Sequence, residues 1–213
     1  MALHLPDYSR DTFARRLRAE APSPLDDPAI DALFAHYHEL QRWAPIVSLV
    51  GPGAGPEILQ RHYGEALLAL DWLDPQARTL VDVGSGAGFP GFVLAAARPD
   101  LDVTLVEPRE RRWSFLCQAA RRASLKLRCL NVRVTSPLPA GLPERIDIVT
   151  LRALRPEAIL PPLAERLAPE AQVLLWVGEE DPPLPSGFAR GRERKLAGSN
   201  VRRLLEIVPL TEK

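Results

Sequence analysis

In the first third of the chain, apolar positions recur three and four residues apart. Ile30, Leu33, Phe34, Tyr37, Leu40 and Trp43 fall near one face of a helix predicted over 28–43, and the same spacing predicts helices over 11–19 and 57–73. The stretches PSPLDDP and GPGAGP, rich in residues that stop helices, separate them. Near residue 78 the pattern changes. Short apolar runs now alternate with amphipathic stretches: TLVDV (79–83), a helix over 89–98, DVTLVE (102–107), a helix over 109–124, LRCLNVRV (127–134), IDIVTL (146–151), a helix over 156–167, and QVLLWVG (172–178). Strands alternating with helices imply a doubly wound, mostly parallel sheet covered on both faces. The chain therefore divides into an all-helical N-terminal cap, 1–77, and one main α/β domain, 78–213.

Composition narrows the classes of partner. Lys plus Arg and Asp plus Glu are both 27 in 213 residues, so no global basic field attracts nucleic acid, and any such site must be a local patch. The start MALHLPDYSRDTF has no apolar signal core, and no run of about twenty apolar residues occurs. The expectation is a soluble, cytoplasmic protein without a membrane partner. Cys117 and Cys129 alone suit a reducing compartment and make neither a disulfide framework nor a zinc cluster. Both read as packing residues, and no metal is expected.

Between the first strand and its helix lies VDVGSGAGFPG, residues 81–91. Glycine is costly in regular structure and useful where backbone turns sharply or approaches a ligand closely. The loop lies at the carboxyl edge of the first strand, where open α/β sheets bind ligands, and its N–H groups face a helix N-terminus. Four glycines in eight residues exceed the need of a tight turn alone. The spacing Gly84, Gly86, Gly88 differs from the dinucleotide fingerprint, which places its third glycine one position later. Glu107 ends the next strand, 23 residues after Gly84, where an acid can accept hydrogen bonds from both hydroxyls of a ribose. An acid there suits a nicotinamide cofactor equally, so the glycine spacing makes the distinction.

With Asp82 before it, this shorter glycine pattern resembles that of class I (Rossmann-like) S-adenosylmethionine-dependent methyltransferases. VDVGSGAGFPG, LVEPRERRWSFL and DIVTLRAL, with a helix ending at Trp43 and the pair Arg61-His62, narrow the likeness. Over about residues 30–178 the chain resembles the bacterial methyltransferase G family of small-subunit ribosomal RNA, also called glucose-inhibited division protein B. The resemblance implies a class I α/β fold with a helical cap, S-adenosyl-L-methionine as cofactor, and methylation of N7 of one guanine in 16S ribosomal RNA, as naked RNA or subunit. It implies that Gly84 and Phe89 contact the cofactor and that Asp82 helps hold the loop. Gly86 and Gly88 complete the loop. Val134 and Thr135 would border the adenine, and Arg152 would lie against cofactor and substrate.

The departures fall mostly on the substrate side. The family's WNxxxNLT reads WAPIVSLV, with Ala44, Ser48 and Val50 at polar positions. Glu65-Ala66 replaces an Asp-Ser pair, Thr135 an acid, Leu151 a Ser, and Val177 a Lys that reaches the substrate side. An alternative reading is therefore a divergent cofactor-binding member with another substrate or without turnover, acting as a binding module.

Guanine N7 attacks with a free lone pair, so the implied chemistry is positioning of two reactants and requires no catalytic side chain. The local basic candidates for RNA phosphates are Arg111 and Arg112, at the start of the helix after Glu107, and Arg192 and Arg194 in the run ARGRERK. Arg121, Arg122, Lys126 and Arg128 read as a solvated face. N7 lies in a deep, narrow groove of A-form RNA, which favours a flipped or unpaired guanine. Phe89, Trp113 and Trp176 are stacking candidates, although burial is the commoner fate of such residues. His62 reads as a hydrogen-bonded packing residue, and His36 and His38 carry no assigned chemistry.

Overall fold

The computed structural model of the protein describes residues 5–51 and 53–210. Met1 to His4 of the start and Pro52 of GPGAGP lie outside the described residues. Seven strands form one sheet: β1 (Thr79–Val83), β2 (Asp102–Val106), β3 (Arg128–Leu130), β4 (Ile146–Arg152), β5 (Leu167–Val177), β6 (Phe188–Lys195) and β7 (Arg203–Pro209), in the order β3-β2-β1-β4-β5-β7-β6. The first five run parallel, and β7 and β6 close the edge as an antiparallel pair. Strand order reverses between β1 and β4, the switch point where ligands bind in such sheets. Register makes that point a site: Val83 lies opposite both Val106 and Leu151. The residues that follow, Gly84, Glu107 and Arg152, thus emerge at one edge.

The cap begins with α1 (Arg10–Glu20) and α2 (Asp27–Trp43), whose first turns are closed by Ser9, accepting from the Thr12 amide, and Asp26, accepting from the Ala29 amide. The continuous helix predicted over 57–73 is instead broken. A π turn, Leu59–Gly64, runs into α3 (Glu65–Leu67) and a 3-10 turn, Leu68–Asp71. At Gly64 a Cβ would stand 2.9 Å from Cβ of Glu20, so the missing side chain lets α1 pack closely on this segment.

Helices α4 (Gly91–Ala97) and α5 (Glu110–Arg122) cover the cap-facing side of the sheet, and α6 (Pro156–Leu163) the other. One apolar cluster joins Phe13, Leu33, Tyr37 and Tyr63 of the cap to Leu80, Phe92, Phe115 and Leu174 of the core. The cap thus shares its hydrophobic interior with the α/β domain. The helix expected to reach 167 ends at Leu163 and passes through a 3-10 turn, Ala164–Arg166, into β5, which starts five residues before the predicted strand. Of the run 127–134 only Arg128–Leu130 pairs with β2. Neither β7 nor β6 is among the strands predicted from the sequence; β6, FARGRERK, carries no apolar alternation because it is an edge strand, mostly exposed, whose charges discourage further pairing.

Candidate active site

The glycine loop leaves β1 through three left-handed residues, Gly84 (φ 72°), Gly86 (φ 55°) and Gly88 (φ 86°). The amides of Gly84 and Ser85 donate to the Val106 carbonyl at 2.7 and 3.1 Å, which clasps the loop to the end of β2. The glycines serve different ends. A Cβ on Gly84 would meet Leu154 Cδ1 at 2.6 Å, one on Gly88 would meet Phe92 Cβ at 2.8 Å, and one on Gly91 would meet Asp82 Cβ at 2.4 Å. At Gly88 and Gly91 the obstacle is a neighbouring Cβ, so the protein's own packing requires the glycine, whereas at Gly84 it is the tip of the exposed Leu154 side chain, which can move aside. At Gly86 the nearest atoms are the Gly84 carbonyl oxygen at 3.7 Å and Arg112 Nη1 at 3.9 Å, so this glycine alone of the four faces open space.

Beside that space sits Glu107, only 3% exposed. Its Oε2 accepts the Gly86 amide at 2.9 Å and its Oε1 the Arg109 amide at 2.8 Å. A carboxylate oxygen accepts two hydrogen bonds, so each retains one acceptor position. Beneath the loop, Asp82 is buried and accepts from the Thr150 hydroxyl at 2.6 Å, while its Oδ2 has no partner. Burial pushes this carboxyl up to about 6, against the opposing pull of the Thr150 hydroxyl. The Ser85 hydroxyl donates to the Asp82 carbonyl, a second tie of the loop to β1.

On the cap side, the fully buried His36 lies with Nε2 2.8 Å from the Ala87 carbonyl oxygen and Nδ1 2.6 Å from the Tyr63 hydroxyl. Burial lowers its pKa to about 4, with the Ala87 bond opposing. Next to it, Arg152 donates to Glu65 Oε2 at 2.8 Å and to the Arg61 carbonyl at 2.9 Å, and Arg202 lies 3.2 Å from Glu65 Oε1. Burial raises the Glu65 pKa against the lowering effect of these arginines. Arg152 Nη1 and His62 Nδ1 are buried there without a hydrogen-bond partner. His62 therefore packs, ring to ring with Phe89 at 5.0 Å, but lacks the expected hydrogen bond at Nδ1. Burial, followed by the charges of Arg152, Arg61 and Arg202, lowers its pKa to about 3.

The fold brings Gly84, Gly86, Gly88, Glu107, Arg112 and Arg152 to one edge. Arg112 also donates to the Ser48 carbonyl at 2.7 Å, and Arg111 beside it is exposed, lining an open groove of about 340 Å³ with Ile46 and Val47. The Phe89 side chain is 5% exposed and turned among His36, His62 and Tyr63, so it is a packing residue and not a free stacking surface. Val134 buries its side chain in the apolar cluster on the α6 side, and Thr135 is exposed. The Trp113 and Trp176 indoles donate to the Cys129 and Glu65 carbonyls, each at 2.9 Å.

Arg192 and Arg194 are engaged elsewhere. Arg192 forks onto Glu206 at 2.6 and 2.8 Å, Arg194 pairs with Asp71 at 3.0 Å, and both guanidiniums lie over the Trp72 ring. Sequence reasoning missed Tyr63, Glu65 and Arg202 as site neighbours and assigned His36 no role. Glu65 and Arg202 carried a signal, Glu65 as the acid that replaces the family's Asp just after Arg61-His62 and Arg202 by its place in the basic tail.

Sheet order and loop geometry define a class I methyltransferase fold, and solved structures agree. A ribosomal protein L11 methylase from Lactobacillus delbrueckii subsp. bulgaricus superposes with a TM-score of 0.55 at 14% identity, covering 71% of this chain and 79% of its own. A SAM-dependent methyltransferase from Aquifex aeolicus gives 0.55 at 16% identity, covering 71% and 92%. The sequence model of rRNA small subunit methyltransferase G matches residues 29–181. Among curated relatives, the Ribosomal RNA small subunit methyltransferase G of Methylobacterium radiotolerans is 35% identical over 204 residues, 91% of this chain and 88% of that protein. That of Methylobacterium sp. (strain 4-46) is 38% identical over 186 residues, 84% and 78%. The chain belongs to the rRNA small subunit methyltransferase G family, and it is an enzyme of that class.

Proposed function

We propose that the protein transfers the methyl group of S-adenosylmethionine to N7 of a guanine in the 16S RNA of the small ribosomal subunit, in the cytoplasm. The observation that carries this reading is the pairing of Gly86 with Glu107: one glycine open to ligand, beside a buried carboxylate with two acceptor positions free. These residues fit the cofactor. Glu107 would hold both ribose hydroxyls, the bare backbone at Gly86 would admit the methionine part, and the backbone at Val134 with Thr135 would border the adenine. The bound cofactor supplies an activated methyl on a sulfonium.

The remaining work of the chain is positioning. The N7 lone pair needs no base, so the loop dipoles and the fixed edges of β1, β2 and β4 hold the two reactants in line. Arg152, held by Glu65, would lie against cofactor and substrate. Exposed Arg111, with Arg112, meets RNA phosphate. The test is calorimetric binding of S-adenosylhomocysteine beside methyl incorporation into small subunits from a strain lacking the gene, with N7-methylguanine mapped. Binding with incorporation at one guanine supports the reading. Binding without incorporation supports a cofactor-binding module, the outcome to which Ala44, Ser48, Val50 and Val177 point.

A further inference from the structure

We propose that His36 of the helical cap is a positioning residue for the cofactor, holding the glycine loop in its binding shape through the Ala87 carbonyl. The proposal rests on the reading of the loop as an S-adenosylmethionine site.

The loop segment Gly86–Ala87 is gripped from two sides. From the core, Glu107 takes the Gly86 amide at 2.9 Å, and from the cap, His36 Nε2 meets the Ala87 carbonyl at 2.8 Å. A carbonyl only accepts, so Nε2 carries the proton. Nδ1 is then the acceptor, and the Tyr63 hydroxyl donates to it at 2.6 Å. Both ring nitrogens are satisfied in one tautomer of a residue with no exposed surface. Gly88 makes the approach possible, since a Cβ there would stand 3.3 Å from Nε2. Phe92, Phe89 and Phe115 surround the ring at centroid distances of 4.3, 5.4 and 5.6 Å and fix its plane.

Among the described residues this is the one hydrogen bond from the cap, 5–77, to the loop, 84–90. Without it the buried Ala87 carbonyl loses its partner, and the peptide can turn to find another. That peptide joins Ala87 to Gly88, so turning it shifts left-handed Gly88 directly and, through Ala87, strains Gly86, whose amide Glu107 holds. Loop shape and the seating of His36 are thereby coupled, and coupling is reciprocal: a ligand that needs the loop shape also steadies the helix that carries His36.

Three variants and one wild-type measurement test this. His36→Phe keeps a flat aromatic ring, somewhat larger than imidazole, and removes both hydrogen bonds. His36→Gln restores an N–H donor toward Ala87 and an acceptor toward Tyr63. Leu17→Ala loosens the cap core without touching the loop. S-adenosylhomocysteine affinity is measured by calorimetry beside the melting temperature. The expected result is a roughly tenfold or greater loss of affinity for His36→Phe, recovery to within about threefold for His36→Gln, and no loss for Leu17→Ala although its melting temperature falls. Wild-type affinity in His36→Phe overturns the proposal, as does an equal loss in Leu17→Ala. Should His36→Phe fail to fold, hydrogen exchange on wild-type protein decides: the ligand should slow exchange in cap peptides over 30–43, and unchanged exchange overturns the proposal. Absence of binding to the wild type sinks the cofactor reading itself, whereas binding that ignores His36 sinks this inference alone.

Discussion

Glu107 Oε2 accepts the Gly86 amide at 2.9 Å, so the acid that ends β2 and the glycine loop that follows β1 form one unit. Replacing Glu107 by Ala removes the anchor of the loop and the proposed acceptor of the ribose hydroxyls together. The expected loss of S-adenosylmethionine affinity is roughly 1.5–3 kcal/mol, the range for hydrogen bonds to a charged group. An analogue lacking the ribose hydroxyls should bind wild type weakly and the variant no more weakly than the full cofactor does. If the two losses add, Glu107 does not touch the ribose.

The glycines should separate into two behaviours. At Gly86 an added methyl meets nothing closer than 3.7 Å, so Gly86→Ala carries only the left-handed penalty of about 1–2 kcal/mol and keeps the fold. It should nonetheless abolish most cofactor binding, because the methyl points into the open face. Gly91→Ala drives a Cβ to 2.4 Å from Asp82 and 2.6 Å from Leu105, and should lower the unfolding midpoint by an overpacking cost of about 1–3 kcal/mol. Thermal melts beside calorimetry check both, and equal effects on binding and stability at Gly86 would contradict the assignment.

Removing Glu65 leaves Arg152, with 21% of its side chain exposed, and Arg202, with 20%, facing each other without their shared carboxylate. Stranding one side of such a pair costs about 3–5 kcal/mol when fully buried, and partial exposure here brings the expectation toward the lower end. Urea unfolding of Glu65→Ala should show that loss, and Glu65→Asp, which keeps the charge, should recover part of it.

Stability should depend on pH through groups of opposite sign. His36, at about 4, and His62, at about 3, are lowered by burial from 6.5, so their contribution is present above 6.5 and is lost as pH falls through those values. Asp82 is raised from 3.8 to about 6, so its contribution is present below 3.8 and is lost as pH rises through about 6. Asp82→Asn removes the second effect alone. The variant should gain stability at pH 8, by up to about 3 kcal/mol, the free energy that accompanies a rise of the carboxyl from 3.8 to about 6. It should also lose stability more steeply than wild type on acidification from about pH 6 to about pH 4. Parallel urea midpoints for the two proteins across that range would show that Asp82 does not titrate there.

The two groups of arginines named from sequence should respond differently. Arg111 is exposed, so Arg111→Ala should weaken RNA binding and reduce the salt slope by about 1 with the fold intact. Arg192 is bonded to Glu206, which is 6% exposed, and to the Trp72 carbonyl, so Arg192→Ala should cost about 1–2 kcal/mol of stability and leave the salt slope unchanged. Filter binding over a salt series distinguishes them, and a flattened slope for Arg192→Ala would return the tail run to the RNA surface.

What the sequence determined by itself is local in origin. Apolar spacing of three and four, then short runs between helices, reflects which face each segment buries, and from it the cap and the parallel sheet were legible. The demand for left-handed backbone at Gly84, Gly86 and Gly88, and the strand-end position of Glu107, are likewise written in a few consecutive residues. Tertiary structure decided the rest, because the deciding contacts join residues far apart in the chain. That Gly86 alone faces open space depends on Leu154, Phe92 and Asp82 filling the space at the other three glycines. The partner of Arg152 comes from the broken cap helix, 87 residues away, and that of His36 from the loop, 51 residues away. A histidine on an apolar helix face looks the same whether it meets a side chain or a carbonyl. The run FARGRERK reads as free basic surface until β7 pairs with it and Glu206, Asp71 and Trp72 take up its arginines, since an edge strand needs no apolar alternation to form.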